Sequence, residues 1–210
     1  MKELVIFGCG GFGREVADIV DAINAVNPIW QIVGFADDGP SPQDLERLHR
    51  TGRRHLSDED LAGLGPSVNY VIAVGDGQVR RRLSARLDGM GWSAAVLVHP
   101  SATIGAEVTL GPGTVICAGV RITTNIVLGQ HVHVNLNSTI GHDSHMHDFV
   151  TINPLVAISG GVTLAAGAMM GTHSAILQNL TVGAESVVGA GSLVAKPVPD
   201  GVVIKGVPAR

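Results

Sequence analysis

A six-residue period runs through the second half of the chain and constrains its fold more than any other feature. Counting in sixes from Val98, all 17 first positions up to Val194 are apolar, and all 17 fifth positions are small or aliphatic. Glycine often fills the second position, where we expect it to permit the corners of the fold. No insertion breaks this register over 102 residues.

This period is neither that of a helix nor that of an ordinary alternating strand. It predicts a short strand, a tight turn and another short strand, with three such sides forming one coil of a triangular prism, a parallel β-helix. A β-sandwich would not keep one phase through so many repeats. Seventeen hexads predict between five and six coils, stacked at roughly 4.8 Å. Residues 18 apart should then lie above one another, as in the pairs Asn135 and Asn153, His133 and Thr151, and His142 and Gly160.

The composition changes sharply near residues 93–98. Six of the seven aromatic residues precede residue 93, whereas only six of the 32 charged residues fall between 98 and 199. Such a shift predicts two domains rather than one. We expect an N-terminal domain over 1–95, the β-helix over 98–199 and a short C-terminal tail over 200–210.

The N-terminal half alternates strands and helices, which predicts a small parallel, Rossmann-like sheet. A strand ending at Phe7 leads into the pattern Gly8-x-Gly10-x-x-Gly13 and then an amphipathic helix. Such glycines let a phosphate approach the N–H groups at a helix N-terminus. Asp37 or Asp38, at the end of the second strand, could hold a ribose hydroxyl. A tight turn without any ligand is the alternative, and the short half-fold suits one nucleotide better than NAD.

Composition excludes several functional classes. The net charge of −4 argues against a general nucleic-acid binder. Two cysteines, Cys9 and Cys117, exclude a disulfide scaffold and a four-cysteine zinc site. The first apolar run is too short for a signal peptide, and no run of 18 apolar residues occurs. We therefore expect a cytoplasmic protein without a membrane span.

Five histidines cluster between residues 131 and 147. They occupy different positions of the hexad, so they do not share one edge, and we expect no metal site. His142 and Asp143 are different, because they fill the two turn positions and should project away from the core. A histidine suits general-base work near neutral pH, and a neighbouring carboxylate can fix its tautomer. A plain surface His-Asp pair is the alternative.

The hexads, the His-Asp turn and the ending Gly206-Val207-Pro208-Ala209-Arg210 resemble the left-handed β-helix hexapeptide acyltransferases. Together with the N-terminal glycine pattern and Phe35-Ala36-Asp37-Asp38, they resemble the sialic-acid O-acetyltransferase-like group of sugar acetyltransferases. That group includes N-acetyltransferases of UDP-bacillosamine precursors and of GDP-perosamine. The resemblance implies a homotrimer, acetyl-CoA as co-substrate with no permanently bound cofactor, and a nucleotide-linked 4-amino-4,6-dideoxy sugar as acceptor.

Site residues carried over from this resemblance fall into three groups. For catalysis, His142 matches the general base, Asp143 the acid beside it and Asn135 a pocket asparagine. Thr151 stands where some relatives carry a second histidine, and His133 is its possible replacement. The acetyl-CoA positions are Gly160, Thr172, Ala190 and Thr151. The nucleotide-sugar positions are Gly10, Gly11, Asp37, Asp38, Gly75 and Asp76.

The expected reaction is N-acetylation by direct attack of the sugar amine on the thioester. O-acetylation of a sialic-acid-like sugar is the alternative, and the sequence does not separate the two cleanly. A non-catalytic nucleotide sensor and a nicotinamide oxidoreductase fit less well. The sequence does not show whether the nucleotide of the acceptor carries uracil or guanine. It does not show the stereochemistry of the sugar either.

Overall fold

The computed structural model describes residues 1–210 as two compact units, Met1–Leu97 and Val98–Arg210. The first unit is a four-stranded parallel sheet with the strand order β2-β1-β3-β4. None of its helices has the length and hydropathy needed to cross a bilayer. In chain order its elements are β1 (Lys2–Phe7), α1 (Gly11–Val26), β2 (Trp30–Ala36), α2 (Pro42–Arg50), α3 (Asp58–Ala62), β3 (Asn69–Ile72), α4 (Gly77–Gly89) and β4 (Ser93–Ala94).

Apolar side chains cover both faces of this sheet, as expected for parallel strands connected by helices. Val16, Ile19 and Val20 form the buried stripe of α1. Nine other buried residues form one core cluster: Val5, Phe7, Ala36, Leu56, Val68, Tyr70, Ile72, Leu87 and Trp92.

The second unit is a parallel β-solenoid, as the six-residue period predicts. Its short strands form three sheets of five, six and seven strands, and each strand pairs with the one 18 residues away in sequence wherever the repeat holds. The seven-stranded sheet contains β5 (Leu97–Val98), β8 (Val115–Ile116), β11 (His133–Val134), β14 (Thr151–Ile152), β17 (Met169–Met170), β20 (Val187–Val188) and β22 (Val203–Ile204). The six-stranded sheet contains β6 (Thr103–Ile104), β9 (Arg121–Ile122), β12 (Thr139–Ile140), β15 (Ala157–Ile158), β18 (Ala175–Ile176) and β21 (Leu193–Val194). The five-stranded sheet contains β7 (Val108–Leu110), β10 (Ile126–Leu128), β13 (His145–Met146), β16 (Thr163–Leu164) and β19 (Thr181–Val182).

The first hexad positions form the core of the solenoid. Every one of them from Ile116 to Val194 is at most 3% exposed. Buried serines fill several fifth positions, and the hydroxyls of Ser138, Ser144 and Ser186 donate to carbonyls of the next coil, as Ser138 Oγ does to Asn153 O at 2.9 Å. This satisfies a polar group that would be costly to bury alone. The prediction of an inward apolar position is therefore confirmed.

The corners are made differently from the sequence-based expectation. Each fourth hexad position from 107 to 191 has a φ between 53° and 75°, and ten of these 15 residues are not glycine. The second-position glycines instead allow close stacking of coils, because a Cβ on Gly105 would lie 2.2 Å from Thr123 O. The prediction that these glycines permit the corners is therefore wrong.

The left-handed residues stack in three columns, one at each corner of the prism. The first corner column contains Glu107, Asn125, Asp143, Gly161 and Asn179. The second corner column contains Gly119, Asn137, Leu155, His173 and Gly191. The third corner column contains Gly113, His131, Phe149, Gly167 and Glu185.

The C-terminal tail expected over 200–210 includes a strand of the solenoid. Val203 and Ile204 pair in parallel with Val187 and Val188. The seven-stranded sheet therefore extends beyond the last hexad.

Candidate active site

His142 and Asp143 form a hydrogen-bonded pair at the first corner column. The Nδ1 atom of His142 lies 2.6 Å from Oδ2 of Asp143, and the two side chains are 66% and 57% exposed. An ionised carboxylate only accepts, so Nδ1 carries the proton and Nε2 of the neutral imidazole keeps its lone pair. The arrangement leaves a proton acceptor on an exposed side chain.

Asp143 is held as an anion by two neighbours. The Asn125 amide donates to Oδ1 of Asp143 at 2.6 Å and His142 contacts its other oxygen. These hydrogen bonds, that of Asn125 first, keep the pKa of Asp143 below its usual range. The carboxylate is therefore charged at neutral pH and can stabilise an imidazolium.

Gly160 gives the imidazole its space. A Cβ added to Gly160 would lie 2.6 Å from both Cε1 and Nε2 of His142. The Gly161 N–H donates to His142 O at 2.7 Å, whereas the Gly160 N–H takes no part in the ladder between coils. The structure therefore brings His142, Asp143 and Gly160 together, with an unused backbone donor beside the ring.

Asn135 does not join this group. It is 9% exposed, and its Nδ2 donates to Ile152 O at 2.9 Å. Asn153, one coil further, makes the same bond to Met170 O. The two side chains thus form a ladder within the solenoid rather than a contact with His142 or Asp143.

The other candidate acetyl-CoA residues lie away from the first corner column. Thr172 and Ala190 are exposed and immediately precede the second corner column. Thr151 is 4% exposed and pairs in register with His133, which is 1% exposed. Within one chain, then, His142 and the Thr172–Ala190 stack occupy different corners of the prism.

The remaining histidines form stacks. The rings of His145 and His147 are 4.1 Å apart, and His131 stacks on Phe149 at 5.5 Å. Burial, and then the charge of His147, lowers the pKa of His145. No set of three or more His, Cys, Asp or Glu side chains is arranged to hold a metal ion.

In the N-terminal unit, the glycine turn separates into tightly packed and open positions. A Cβ on Gly13 would lie 2.0 Å from Gly8 O, so this glycine is needed for the packing of α1 on β1. A Cβ on Gly10 would meet no atom within 4 Å, and one on Gly11 only Arg14 at 3.9 Å. The backbone at Gly10 and Gly11 is therefore accessible to a ligand.

Asp37 and Asp38 line two adjoining clefts, of about 320 Å³ and about 490 Å³. The Asp37 carboxylate accepts from Cys9 N at 2.8 Å and from Gly39 N at 3.0 Å, so it already links the glycine turn to the end of β2. Asp38 is exposed, and its carboxylate lies 3.9 Å from Arg86. Of the two, Asp38 is the better placed to meet a ligand.

Gly75 and Asp76 form the turn between β3 and α4. The Asp76 side chain accepts from Gln78 N at 2.8 Å and Val79 N at 3.1 Å, which makes it the N-cap of α4. Arg80 is fully buried below this turn, and its Nη1 donates to Val74 O and Gly75 O at 3.0 and 2.9 Å. Burial lowers the pKa of Arg80 to about 10, against the opposing charge of Asp76.

Sequence reasoning missed three of these residues: Asn125, Arg80 and Arg86. Counting 18 residues back from Asp143 would have found Asn125, since the register places it one coil below. Nothing in the local pattern marks Arg80 as buried, because the three consecutive arginines Arg80, Arg81 and Arg82 look alike in sequence.

Known proteins are similar in sequence or structure to both units of the chain. Residues 3–87 match the family model of the PglD N-terminal domain. The chain is 34% identical over 119 residues to UDP-N-acetylbacillosamine N-acetyltransferase of Bacillus subtilis, covering 56% of this chain and 52% of that protein. It is 31% identical over 153 residues to GDP-perosamine N-acetyltransferase of Escherichia coli, covering 70% and 65%. The matched region thus spans between about half and two-thirds of the length of these relatives.

The whole architecture recurs in a solved structure. PerB from Caulobacter crescentus, in complex with CoA and GDP-perosamine, superposes with a TM-score of 0.83 at 26% identity over 100% of this chain and 97% of that one. The likeness includes the small parallel sheet as well as the β-solenoid. The chain is therefore similar to the PglD N-terminal domain over residues 3–87 and, over its full length, to sugar-nucleotide N-acetyltransferases such as PerB.

Proposed function

We propose that the protein transfers the acetyl group of acetyl-CoA to the 4-amino group of a nucleotide-linked 4-amino-4,6-dideoxy sugar. The observation that carries the proposal is the bond between His142 Nδ1 and Asp143 Oδ2 at 2.6 Å on an exposed corner. It places the proton on Nδ1 and leaves Nε2 as a proton acceptor. The relatives named for N-acetylation of UDP- and GDP-linked amino sugars agree with this reaction class.

His142 acts as the general base. Its Nε2 takes a proton from the sugar amine as the amine nitrogen attacks the thioester carbonyl. The Asp143 carboxylate stabilises the imidazolium that forms. When the tetrahedral intermediate collapses, the carbon–sulfur bond breaks and the imidazolium returns the proton to the CoA thiolate. The products are the acetamido sugar and free CoA.

The Gly160 N–H stabilises the negative oxygen of the intermediate. It takes no part in the hydrogen-bond ladder between coils and belongs to the residue on which the His142 ring packs. A fixed backbone donor beside the reacting carbonyl contributes most when charge develops there. Substrate binding itself needs no such donor.

The nucleotide of the acceptor binds in the N-terminal unit. The open backbone at Gly10 and Gly11 and the two adjoining clefts at Asp37 and Asp38 support this assignment. Asp38 is the candidate acceptor for ribose hydroxyls. Gly75 and Asp76 are further candidate contacts at the turn before α4, where Oδ1 of Asp76 caps the helix.

The active enzyme is a homotrimer in the cytoplasm. His142 lies at the first corner column, whereas Thr172 and Ala190 precede the second. One chain therefore presents the base and the acetyl-CoA positions at different corners, and a neighbouring chain brings its second corner to the first corner of this one. This arrangement also encloses the exposed His142 side chain.

Release of free thiol from acetyl-CoA tests the proposal. The purified protein is mixed with acetyl-CoA and either a UDP-linked or a GDP-linked 4-amino-4,6-dideoxy sugar, with the matching 4-hydroxy sugar nucleotide as control. Thiol release with one amino sugar and not with its 4-hydroxy analogue supports N-acetylation. It also identifies which nucleobase, uracil or guanine, the acceptor carries. Thiol release with free sialic-acid-like sugars alone would show that the protein is an O-acetyltransferase instead. Nucleotide binding without any thiol release would indicate a non-catalytic nucleotide sensor.

A further inference from the structure

Asn125 is connected to the His142–Asp143 pair through the Asp143 carboxylate. Its Nδ2 lies 2.6 Å from Oδ1 of Asp143, and the other carboxylate oxygen, Oδ2, lies 2.6 Å from Nδ1 of His142. An ionised carboxylate only accepts hydrogen bonds, so the Asn125 atom that faces it is the amide donor. The three side chains form a continuous chain of hydrogen bonds.

The fold explains how Asn125 reaches this position. Asn125 and Asp143 occupy the same place in successive coils of the first corner column, with φ values of 54° and 59°. The backbone is tied at the same level, because Asp143 N donates to Thr124 O at 3.2 Å. Asparagine adopts the left-handed conformation more readily than most residues, so the corner can carry an amide here at little cost in strain.

The two contacts on Asp143 fix how its carboxylate is turned. A carboxylate on an exposed side chain rotates freely unless both oxygens are held. The Asn125 donor holds Oδ1 and so directs Oδ2 to the imidazole. The side chain of Asp143 is 57% exposed, which leaves few other contacts to set this orientation.

We propose that Asn125 is a positioning residue for the general base, acting through Asp143. This inference rests on the proposed function, in which His142 accepts the proton. Asn125 itself touches neither the imidazole nor the reacting atoms. Its expected effect is therefore on turnover rather than on substrate binding.

Two substitutions of Asn125 and one matched control separate this role from a structural one. Asn125→Gly removes the amide without adding strain, because glycine adopts the left-handed conformation freely. Asn125→Asp keeps the shape but replaces the donor with a second carboxylate. Asn137→Gly is the control, since Asn137 fills the same turn position at φ 57° in the second corner column.

The first measurement is steady-state kinetics with acetyl-CoA and the accepted amino sugar. We expect kcat to fall about three- to tenfold in Asn125→Gly, as for loss of one hydrogen bond to a charged group at an exposed site. The fall should be larger in Asn125→Asp, with KM unchanged in both. In an Asp143→Ala background, Asn125→Gly should cause no further loss, because the acceptor of the Asn125 amide is already absent. Equal losses in Asn125→Gly and Asn137→Gly would overturn the positioning role.

The second measurement does not depend on catalysis. The pKa of the Asp143 carboxyl is followed by carbon NMR without substrates. It should rise towards the ordinary aspartate range in Asn125→Gly and stay unchanged in Asn137→Gly, since Asn125, unlike Asn137, donates to the Asp143 carboxylate. An unchanged Asp143 pKa in Asn125→Gly also overturns the proposal. Full activity in His142→Ala would instead reject the assigned base, whatever the result for Asn125.

Discussion

The imidazole of His142 lies against the backbone of Gly160, so that a Cβ on Gly160 would be 2.6 Å from both Cε1 and Nε2 of the ring. Side-chain carbons do not approach ring atoms this closely, and the ring would have to move. Gly160 is not one of the left-handed positions, so backbone strain does not explain the glycine. Its role is to leave room for the base.

We therefore predict that Gly160→Ala displaces the imidazole and lowers kcat by about 10²-fold, the typical cost of misplacing a reacting group by roughly 1 Å. The solenoid should remain folded. Steady-state kinetics gives the rate and circular dichroism the thermal midpoint. Gly65→Ala is the control, because a Cβ there meets no atom within 4 Å and Gly65 has no positive φ. Wild-type kcat in Gly160→Ala would show that the ring does not need this space.

The second prediction concerns the base itself. His142→Ala should lose about 10²- to 10⁴-fold in kcat, the usual contribution of a general base, with a sedimentation coefficient equal to that of the wild type. His147→Ala is the matched control, because His147 is also exposed but stacks on His145 in another part of the solenoid. Similar losses in both variants would point to a shared structural defect. Near-normal turnover in His142→Ala would remove His142 from the mechanism.

The core of the solenoid can be predicted from the sequence, because the buried residues recur at every sixth position of the chain. The apolar first positions from Ile116 to Val194 are buried as expected, and the register places Gly160 beside His142. Periodicity does not specify backbone dihedral angles. Hence the sequence pattern points to second-position glycines at the corners, whereas the left-handed residues are fourth-position ones such as Asn125 and Leu155.

The burial and the hydrogen-bond partners of polar side chains are harder to predict from the sequence. The sequence does not indicate that the Asn135 amide donates to Ile152 O, and the role of Asn135 in the pocket stays a prediction. Arg80 is fully buried although arginine is seldom buried. Both outcomes depend on which carbonyl groups the tertiary structure leaves nearby, and a single sequence does not contain that information.

The third prediction concerns the reactivity of Cys9. This thiol is fully buried beside the glycine turn. Burial, and then the negative charge of Asp37, raises the pKa of Cys9 to about 12. A raised thiol pKa keeps the neutral form, and the thiolate is the reactive species. In the folded protein Cys9 should therefore resist iodoacetamide from pH 7 to about pH 10, well above the ordinary cysteine pKa of about 8.5.

Mass spectrometry of the Cys9 peptide after timed labelling checks this prediction. The same labelling in urea is the control, because unfolding exposes the thiol and restores its ordinary pKa. Labelling of the folded protein at neutral pH as fast as of the unfolded chain would contradict it.

The fourth prediction concerns Arg80, which supports the turn before α4. Its guanidinium donates to Val74 O and Gly75 O from a fully buried position. Arg80→Met would leave these carbonyl groups without that donor, at about 1–3 kcal/mol for an unsatisfied buried group. Val74 also lines the smaller cleft at Asp37 and Asp38. We therefore expect a lower free energy of unfolding together with weaker nucleotide binding.

Urea unfolding and calorimetric titration with UDP and GDP measure the two effects separately. Arg82→Met is the matched control, because Arg82 lies on the same helix but is exposed. Arg80→Lys keeps the charge and one donor, so it should recover part of the stability and of the nucleotide affinity. If Arg80→Met lost stability but bound the nucleotide with unchanged affinity, Arg80 would support the fold alone and the turn would not contribute to the nucleotide site.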